Sequence, residues 1–163
     1  LCSNQEMIAD CYAFLRDDPP IVVDWAPWNH TASGNKVFNM VIYHGGTFYI
    51  DKGRPPPTGM RDTIANLREI SPTWYFNVPA GYEMLVHAMR EDETLKQTFF
   101  RDLKMLMYAG AGMAQHLAAP GSPIQGVFGA SFHPALSEHR QAPGCFCHWL
   151  YPPRGCSVIG QLE

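Results

Sequence analysis

The sequence predicts an α/β fold, a mostly parallel sheet with flanking helices and an irregular C-terminal tail. Three observations carry this. Short β-branched and aromatic runs are bracketed by prolines, segments with apolar residues at helical spacing lie between them, and the two kinds alternate in a repeated β-α-β-α order. With 46% hydrophobic and 17% charged residues over 163 positions, the chain can bury a core of about one domain.

Ser3 followed by Glu6 has the spacing of a capping box, and Met7, Ile8, Cys11, Tyr12 and Leu15 then recur at helical spacing, which predicts a helix ending near Arg16 ahead of Pro19-Pro20. Ile21 to Trp25 is β-branched and followed by Pro27, as in a buried strand, and Pro27 to Thr31 follows as a loop. Asn35 to Tyr43 places Val37, Phe38, Met40, Val41 and Ile42 in a buried helix that Gly45-Gly46 ends, and Thr47 to Ile50 begins a second strand. The Gly53 to Gly59 segment, with three consecutive prolines, is a loop. Met60, Ile64, Leu67 and Ile70 then mark one helical face. Thr73 to Val78 is a third strand between Pro72 and Pro79. Helices over about Ala80 to Arg90, with Tyr82, Leu85, Val86 and Met89 inward, and over Glu93 to Phe100 lead to a fourth strand, Lys104 to Tyr108.

A formal net charge of -3 supplies no basic stripe for nucleic acid or an anionic membrane, so neither is expected as a partner. No apolar run approaches the roughly 20 residues of a membrane helix and no signal-peptide layout opens the chain, which predicts a cytoplasmic protein. Five cysteines, at 2, 11, 145, 147 and 156, make no disulfide framework. Beyond His116 the only Asp, Glu, Lys or Arg residues are Glu138, Arg140, Arg154 and Glu163, and the segment is rich in Gly, Pro and Cys. Two compositions are joined there, dividing the chain into 1–115 and a tail of 116–163.

In a parallel sheet, ligands lie where strands run into loops at their carboxyl ends. That geometry gathers Trp28 to Thr31, Asn77 to Gly81 and Ala109 to Gly112. His30, flanked by Asn29 and Thr31 with Trp25 and Trp28 nearby, suits hydrogen bonding to a carboxylate or shielding a reactive carbonyl from water; the plainer reading is a loop histidine that only caps backbone groups. Ala109-Gly110-Ala111-Gly112 bares backbone to a flat ligand or forms a tight turn, and it lacks the spacing of a dinucleotide or Walker loop. Cys145, Cys147, His148 and Cys156 offer soft ligands, but the C-x-C spacing departs from the about two to four residues between paired zinc cysteines, so no metal site is assigned. Asp51, Asp62, Glu69, Glu83, Glu91, Asp92 and Glu93 read as solvated charges. No catalytic residue is assigned.

Along Val23-Asp24-Trp25-Ala26-Pro27-Trp28-Asn29-His30-Thr31, Gly34-Asn35, Tyr43-His44-Gly45-Gly46-Thr47-Phe48-Tyr49-Ile50-Asp51, Ser71-Pro72-Thr73, Tyr75-Phe76-Asn77-Val78-Pro79-Ala80-Gly81-Tyr82-Glu83-Met84-Leu85 and Leu106-Met107-Tyr108-Ala109-Gly110-Ala111-Gly112, the chain resembles adenylate-forming acyl-CoA synthetases of the AMP-binding superfamily, nearest the bacterial feruloyl-CoA synthase branch. The resemblance covers about Leu1 to Gln115 and implies part of the large domain of such an enzyme. It implies ATP, Mg²⁺ and CoA in the intact family, an aryl or acyl carboxylic acid as substrate, and an acyl-adenylate that CoA thiol then attacks. Adenylation is needed because carboxylate oxygen is a poor leaving group and AMP a good one. By resemblance, His30, Asn29 and Trp28 line the acyl and pantetheine side, and Gly110, Ala111 and Gly112 lie against the acyl group and adenine.

The family's Ser/Thr/Gly-rich phosphate loop, Tyr/Gly-x-Thr-Glu motif, ribose-binding Asp and adenylation lysine have no counterpart in these residues. The expectation is therefore a ligase fragment that is inactive by itself, binds none of these molecules tightly, and lacks another part of the same polypeptide. The tail, with no family counterpart, is expected to be irregular or frame-shifted. A different expectation is a non-enzymatic module that binds a small molecule, or a metal through the Cys/His tail.

Overall fold

A computed structural model of the chain describes residues 1–54, 59–108, 134–135 and 149–150. Its elements are α1 (Cys2–Cys11), α2 (Phe14–Asp17), β1 (Ile21–Asp24), a π-helix (Thr31–Phe38), α3 (Asn39–Tyr43), β2 (Thr47–Ile50), α4 (Arg61–Leu67), β3 (Trp74–Asn77), α5 (Pro79–Glu91), α6 (Glu93–Arg101), β4 (Met105–Tyr108), β5 (Pro134–Ala135) and β6 (Trp149–Leu150).

Strands β1 to β4 form two parallel pairs. β1 runs beside β2 with Ile21 opposite Thr47 and Asp24 opposite Ile50, and β3 runs beside β4 with Trp74 opposite Met105 and Asn77 opposite Tyr108. The two pairs lie side by side with β1 next to β3, and side chains fasten them at both ends. At the amino ends Thr73 N–H donates to Ile21 O (2.9 Å) and Thr73 Oγ1 accepts from Ile21 N–H (2.8 Å). Thr73 O also accepts from Lys104 and Met105 N–H, so this one residue links β1, β3 and β4. At the carboxyl ends the indole N–H of Trp25 donates to Asn77 Oδ1 (3.2 Å).

Successive strand residues point to opposite faces, so a strand buried on both sides divides its apolar residues between two cores. Val23, Tyr75, Leu106 and Tyr108 face one core with Leu67 of α4, Tyr82, Leu85, Val86 and Met89 of α5, and Leu95 and Phe99 of α6. Val22, Trp74, Phe76, Met105 and Met107 face the other with Ile8, Leu15, Val37, Met40 and Val41. Helices therefore cover both faces, which is the α/β layering the alternation predicts. The Tyr82 hydroxyl, buried under α5, donates across to Met107 O (2.8 Å) and ties that helix to β4. Pro79 occupies the first turn of α5, where its missing N–H costs nothing.

Several boundaries differ from expectation. Ser3 lies inside α1 rather than capping it, and no side chain caps that helix. Glu6 instead engages Arg16 and receives the Tyr43 hydroxyl, which draws it away from the helix end. The expected single N-terminal helix breaks into α1 and α2, and strand β1 stops at Asp24, before Trp25. The expected loop to Thr31 ends sooner, because helical structure begins at Thr31 rather than Asn35 and its first eight residues form a wide π-helix. Ile42 is turned outward, 62% exposed, whereas Val37, Met40 and Val41 are buried as expected. Of the tail, the short antiparallel pairing of Pro134–Ala135 with Trp149–Leu150 is described. The division near residue 115 lies outside the described residues. Among the described residues no helix is long and apolar enough to cross a membrane.

Candidate functional site

The carboxyl ends of the strands carry buried polar side chains amid otherwise apolar neighbours. Asp24, Asp51 and Asn77 end β1, follow β2 and end β3, and all three are buried. Asp51 N–H donates to Asp24 O (3.0 Å), which brings the first two side by side.

Asp24 accepts from Ala26 N–H at Oδ1 (2.9 Å) and from the Ser33 hydroxyl at Oδ2 (2.6 Å). Burial pushes its carboxyl pKa up, the Ser33 and Ala26 hydrogen bonds pull it back, and the Asp51 charge adds to the rise. Asp51, expected as a solvated charge, is instead buried: it receives the Thr63 hydroxyl, Asn66 Nδ2 (3.0 Å) and Gly53 N–H (3.1 Å). It draws α4 and the Gly53 segment onto the end of β2. Asp92, also expected as a plain solvated charge, caps α6 by accepting from Leu95 N–H (2.9 Å) and pairs with Arg68 (2.6 Å). Asn77 holds Trp25 and its own neighbour Val78 N–H through Oδ1, and donates from Nδ2 to the Tyr75 hydroxyl (2.9 Å). A Cβ on Gly81 would strike this amide, so glycine at the start of α5 lets Asn77 lie flat beneath the helix. At the end of β4, burial lifts the Tyr108 phenol to about 12, so that it stays a neutral hydroxyl.

The predicted residues Trp28, Asn29 and His30 sit together, exposed, on the loop leaving β1. Trp28, 49% exposed, stacks on Phe38 (centroids 4.7 Å apart) and meets Phe48 edge-on, leaving much of its ring uncovered. The His30 ring accepts Ala32 N–H at Nδ1 (3.2 Å), capping the π-helix. With Nδ1 as acceptor, the neutral ring carries its proton on Nε2, on the far side from the cap. The backbone-capping role foreseen for this histidine is thus present, and it leaves Nε2–H as a donor. Both further loop hydrogen bonds are internal: His30 N–H donates to Pro27 O (2.9 Å) and Gly34 N–H to His30 O (2.8 Å). Gly34 is required here, because a Cβ would run into the Trp28 carbonyl. Lys36, on the same π-helix, is buried with Nζ 3.1 Å from the Met107 sulfur and ties that helix to β4.

The structure thus brings the ends of β1 and β3 together through Trp25 and Asn77. Gly110, Ala111 and Gly112 lie outside the described residues, as do Cys145, Cys147, His148 and Cys156. Asp24, Ser33 and Asp51 were not singled out in the sequence for this site. Their one sequence signal is a carboxylate closing each of two apolar strands.

Among the described residues no group of His, Cys, Asp or Glu is arranged to hold a metal ion. The oxygens of Asp24 and Asp51 are already engaged within the protein, so these two do not fit Mg²⁺. What the arrangement offers is an exposed indole face and an imidazole donor, on a loop fastened to the sheet by buried groups. Comparison with protein-family models, with curated proteins and with solved structures gives no match for this chain.

Proposed function

We propose that the chain is part of an ATP-dependent acid-CoA ligase of the feruloyl-CoA synthase kind, which adenylates a carboxylic acid and passes the acyl group to CoA. The observation that supports it is the Trp28-Asn29-His30 loop, exposed at the carboxyl end of β1 and braced against the sheet. An aryl carboxylic acid presents a flat apolar ring and an acyl oxygen, and this loop presents an indole face for the first and an N–H donor for the second.

The chain's own residues then bind and orient. Trp28, stacked on Phe38, offers its uncovered ring to the aryl group and keeps water off that side. His30, with Nδ1 taken by Ala32 N–H, has Nε2–H left to donate to an acyl oxygen. In the intact family ATP supplies the leaving group that makes the carboxyl carbon reactive. These 163 residues hold no phosphate loop and no adenylation lysine, so the charges that stabilise pyrophosphate departure are missing from them.

Two measurements test the proposal. Ferulate titrated into the chain quenches Trp28 emission saturably, and Trp28→Ala removes that component; equal quenching in wild type and variant would refute it. ATP–pyrophosphate exchange with ferulate stays at the no-protein level for this chain alone. Exchange above that level would overturn the part of the proposal that makes the chain incomplete.

A further inference from the structure

We infer that Asp24 is a positioning residue for this loop: its buried carboxylate grips the loop at Ala26 and Ser33, and so holds the His30 ring in the one orientation that frees Nε2–H. The link to a bound acid rests on the function proposed above, whereas the link from Asp24 to His30 stands on geometry alone.

The chain of contacts is short. Asp24 Oδ2 receives the hydroxyl of Ser33, which is fully buried in the first turn of the π-helix. The preceding residue, Ala32, gives its N–H to His30 Nδ1, and Gly34, the residue after, gives its N–H to His30 O. The turn that Asp24 fixes is therefore the turn on which the imidazole is seated. Oδ1 meanwhile holds Ala26 N–H at the start of the loop, so one carboxylate fastens both the departing and the returning strand of chain.

A carboxylate suits this work because it is acceptor-only, and Ala26 N–H and the Ser33 hydroxyl are both donors. Asparagine keeps one acceptor for Ala26 and forces the Ser33 hydroxyl to turn and accept. Alanine leaves Ala26 N–H and the Ser33 hydroxyl, both shut off from water, without a partner. Asp51 provides an internal comparison, being an equally buried carboxylate at the next strand end whose side-chain bonds go to Gly53, Thr63 and Asn66 and not to the His30 loop.

The test uses the full 163-residue chain labelled with ¹⁵N at histidine, at pH 8, with the His30 signal identified by its loss in His30→Gln. Long-range nitrogen–proton correlations report which ring nitrogen carries the proton. In the wild type and in Asp51→Asn, His30 shows an unprotonated Nδ1 and a protonated Nε2. In Ser33→Ala and Asp24→Ala it shifts to a mixture of both tautomers, and Asp24→Asn retains most of the wild-type pattern. An unchanged His30 pattern in Ser33→Ala overturns the inference even if Asp24→Ala does not fold, and so does an equal disturbance by Asp51→Asn. Ferulate separates the two proposals. If it binds, as Trp28 quenching reports, Ser33→Ala weakens it on the order of tenfold. If it fails to bind the wild type while the tautomer pattern follows Asp24 and Ser33, the ligase proposal falls and the positioning role stands.

Discussion

The two strand pairs are both parallel β-α-β units, yet they differ in what their crossovers do. In the unit from β3 to β4, α5 begins almost directly after the strand, and every residue of both strands is buried. In the unit from β1 to β2, six residues intervene before helical structure resumes, the helix opens as a π-helix, and β2 is largely exposed, with Ile50 at 69% and Tyr49 at 41%. The first unit is packing throughout. The second gives up packing to hold an aromatic ring, an imidazole and a buried carboxylate at one strand end. Wide helical turns are rare, and the short π-bulges among them are frequent at functional sites. Stability is thus concentrated around β3 and β4, and the proposed binding chemistry in the loop after β1.

Substitutions that strike each unit separate the two. Leu106→Ala, at the centre of the β3–β4 core, should lower unfolding free energy by about 2–5 kcal/mol in urea titration, because a fully buried side chain is removed and a cavity left. Thr73→Val should cost about 1–3 kcal/mol, since Ile21 N–H loses its acceptor where the two units are fastened. A smaller loss would mean that the units are joined chiefly by apolar packing. Trp28→Ala should cost about 1–3 kcal/mol, the worth of its two aromatic contacts, while abolishing the ferulate response. A Trp28→Ala loss as large as that of Leu106→Ala would erase the distinction between a packing unit and a binding unit.

The smallest effect is a difference in pH dependence. Because burial raises the Asp24 pKa in the folded state above its ordinary 3.8, the folded chain holds that proton more tightly than the unfolded one. The resulting stability is fully present below pH 3.8 and is lost as pH rises through the folded value. Asp24→Asn removes this contribution, so the variant should lose less stability than wild type as pH rises from about 4 to 7. Asp92 runs the other way: its bonds from Leu95 N–H and Arg68 lower its pKa, so its contribution is lost as pH falls below 3.8. Comparing wild type with Asp24→Asn isolates the first from the second. Parallel pH profiles for the two proteins would contradict the burial of a charged Asp24.

The strands and the helix faces were legible because their apolar residues obey simple periods. Trp74 to Asn77 between two prolines, and Tyr82, Leu85, Val86 and Met89 on one side of α5, lie where spacing places them. What escaped was set by contacts far apart in sequence. The Ser3 and Glu6 pattern is a local signal, but Glu6 finds Arg16 and Tyr43 instead. The early start of the π-helix depends on Asp24 reaching forward nine residues to Ser33 and on Gly34 passing close to Trp28. Asp51 looked solvated because a lone carboxylate beside Lys52 and Gly53 gives no hint of Thr63 and Asn66 closing over it. The exposed loop was legible as a position, from strand ends and resemblance, whereas the buried groups that hold it were not.

On the proposed function, the exposed loop after β1 receives a carboxylic acid while the β3–β4 unit serves as its support. Proton and nitrogen shift mapping of the chain with ferulate tests it most directly. Saturable shifts are expected, centred on Trp28, Asn29 and His30, absent from α6, and lost together in the Trp28→Ala, His30→Ala double variant. Saturable shifts centred on α6, or shifts of the remaining residues that persist unchanged in the double variant, would contradict it.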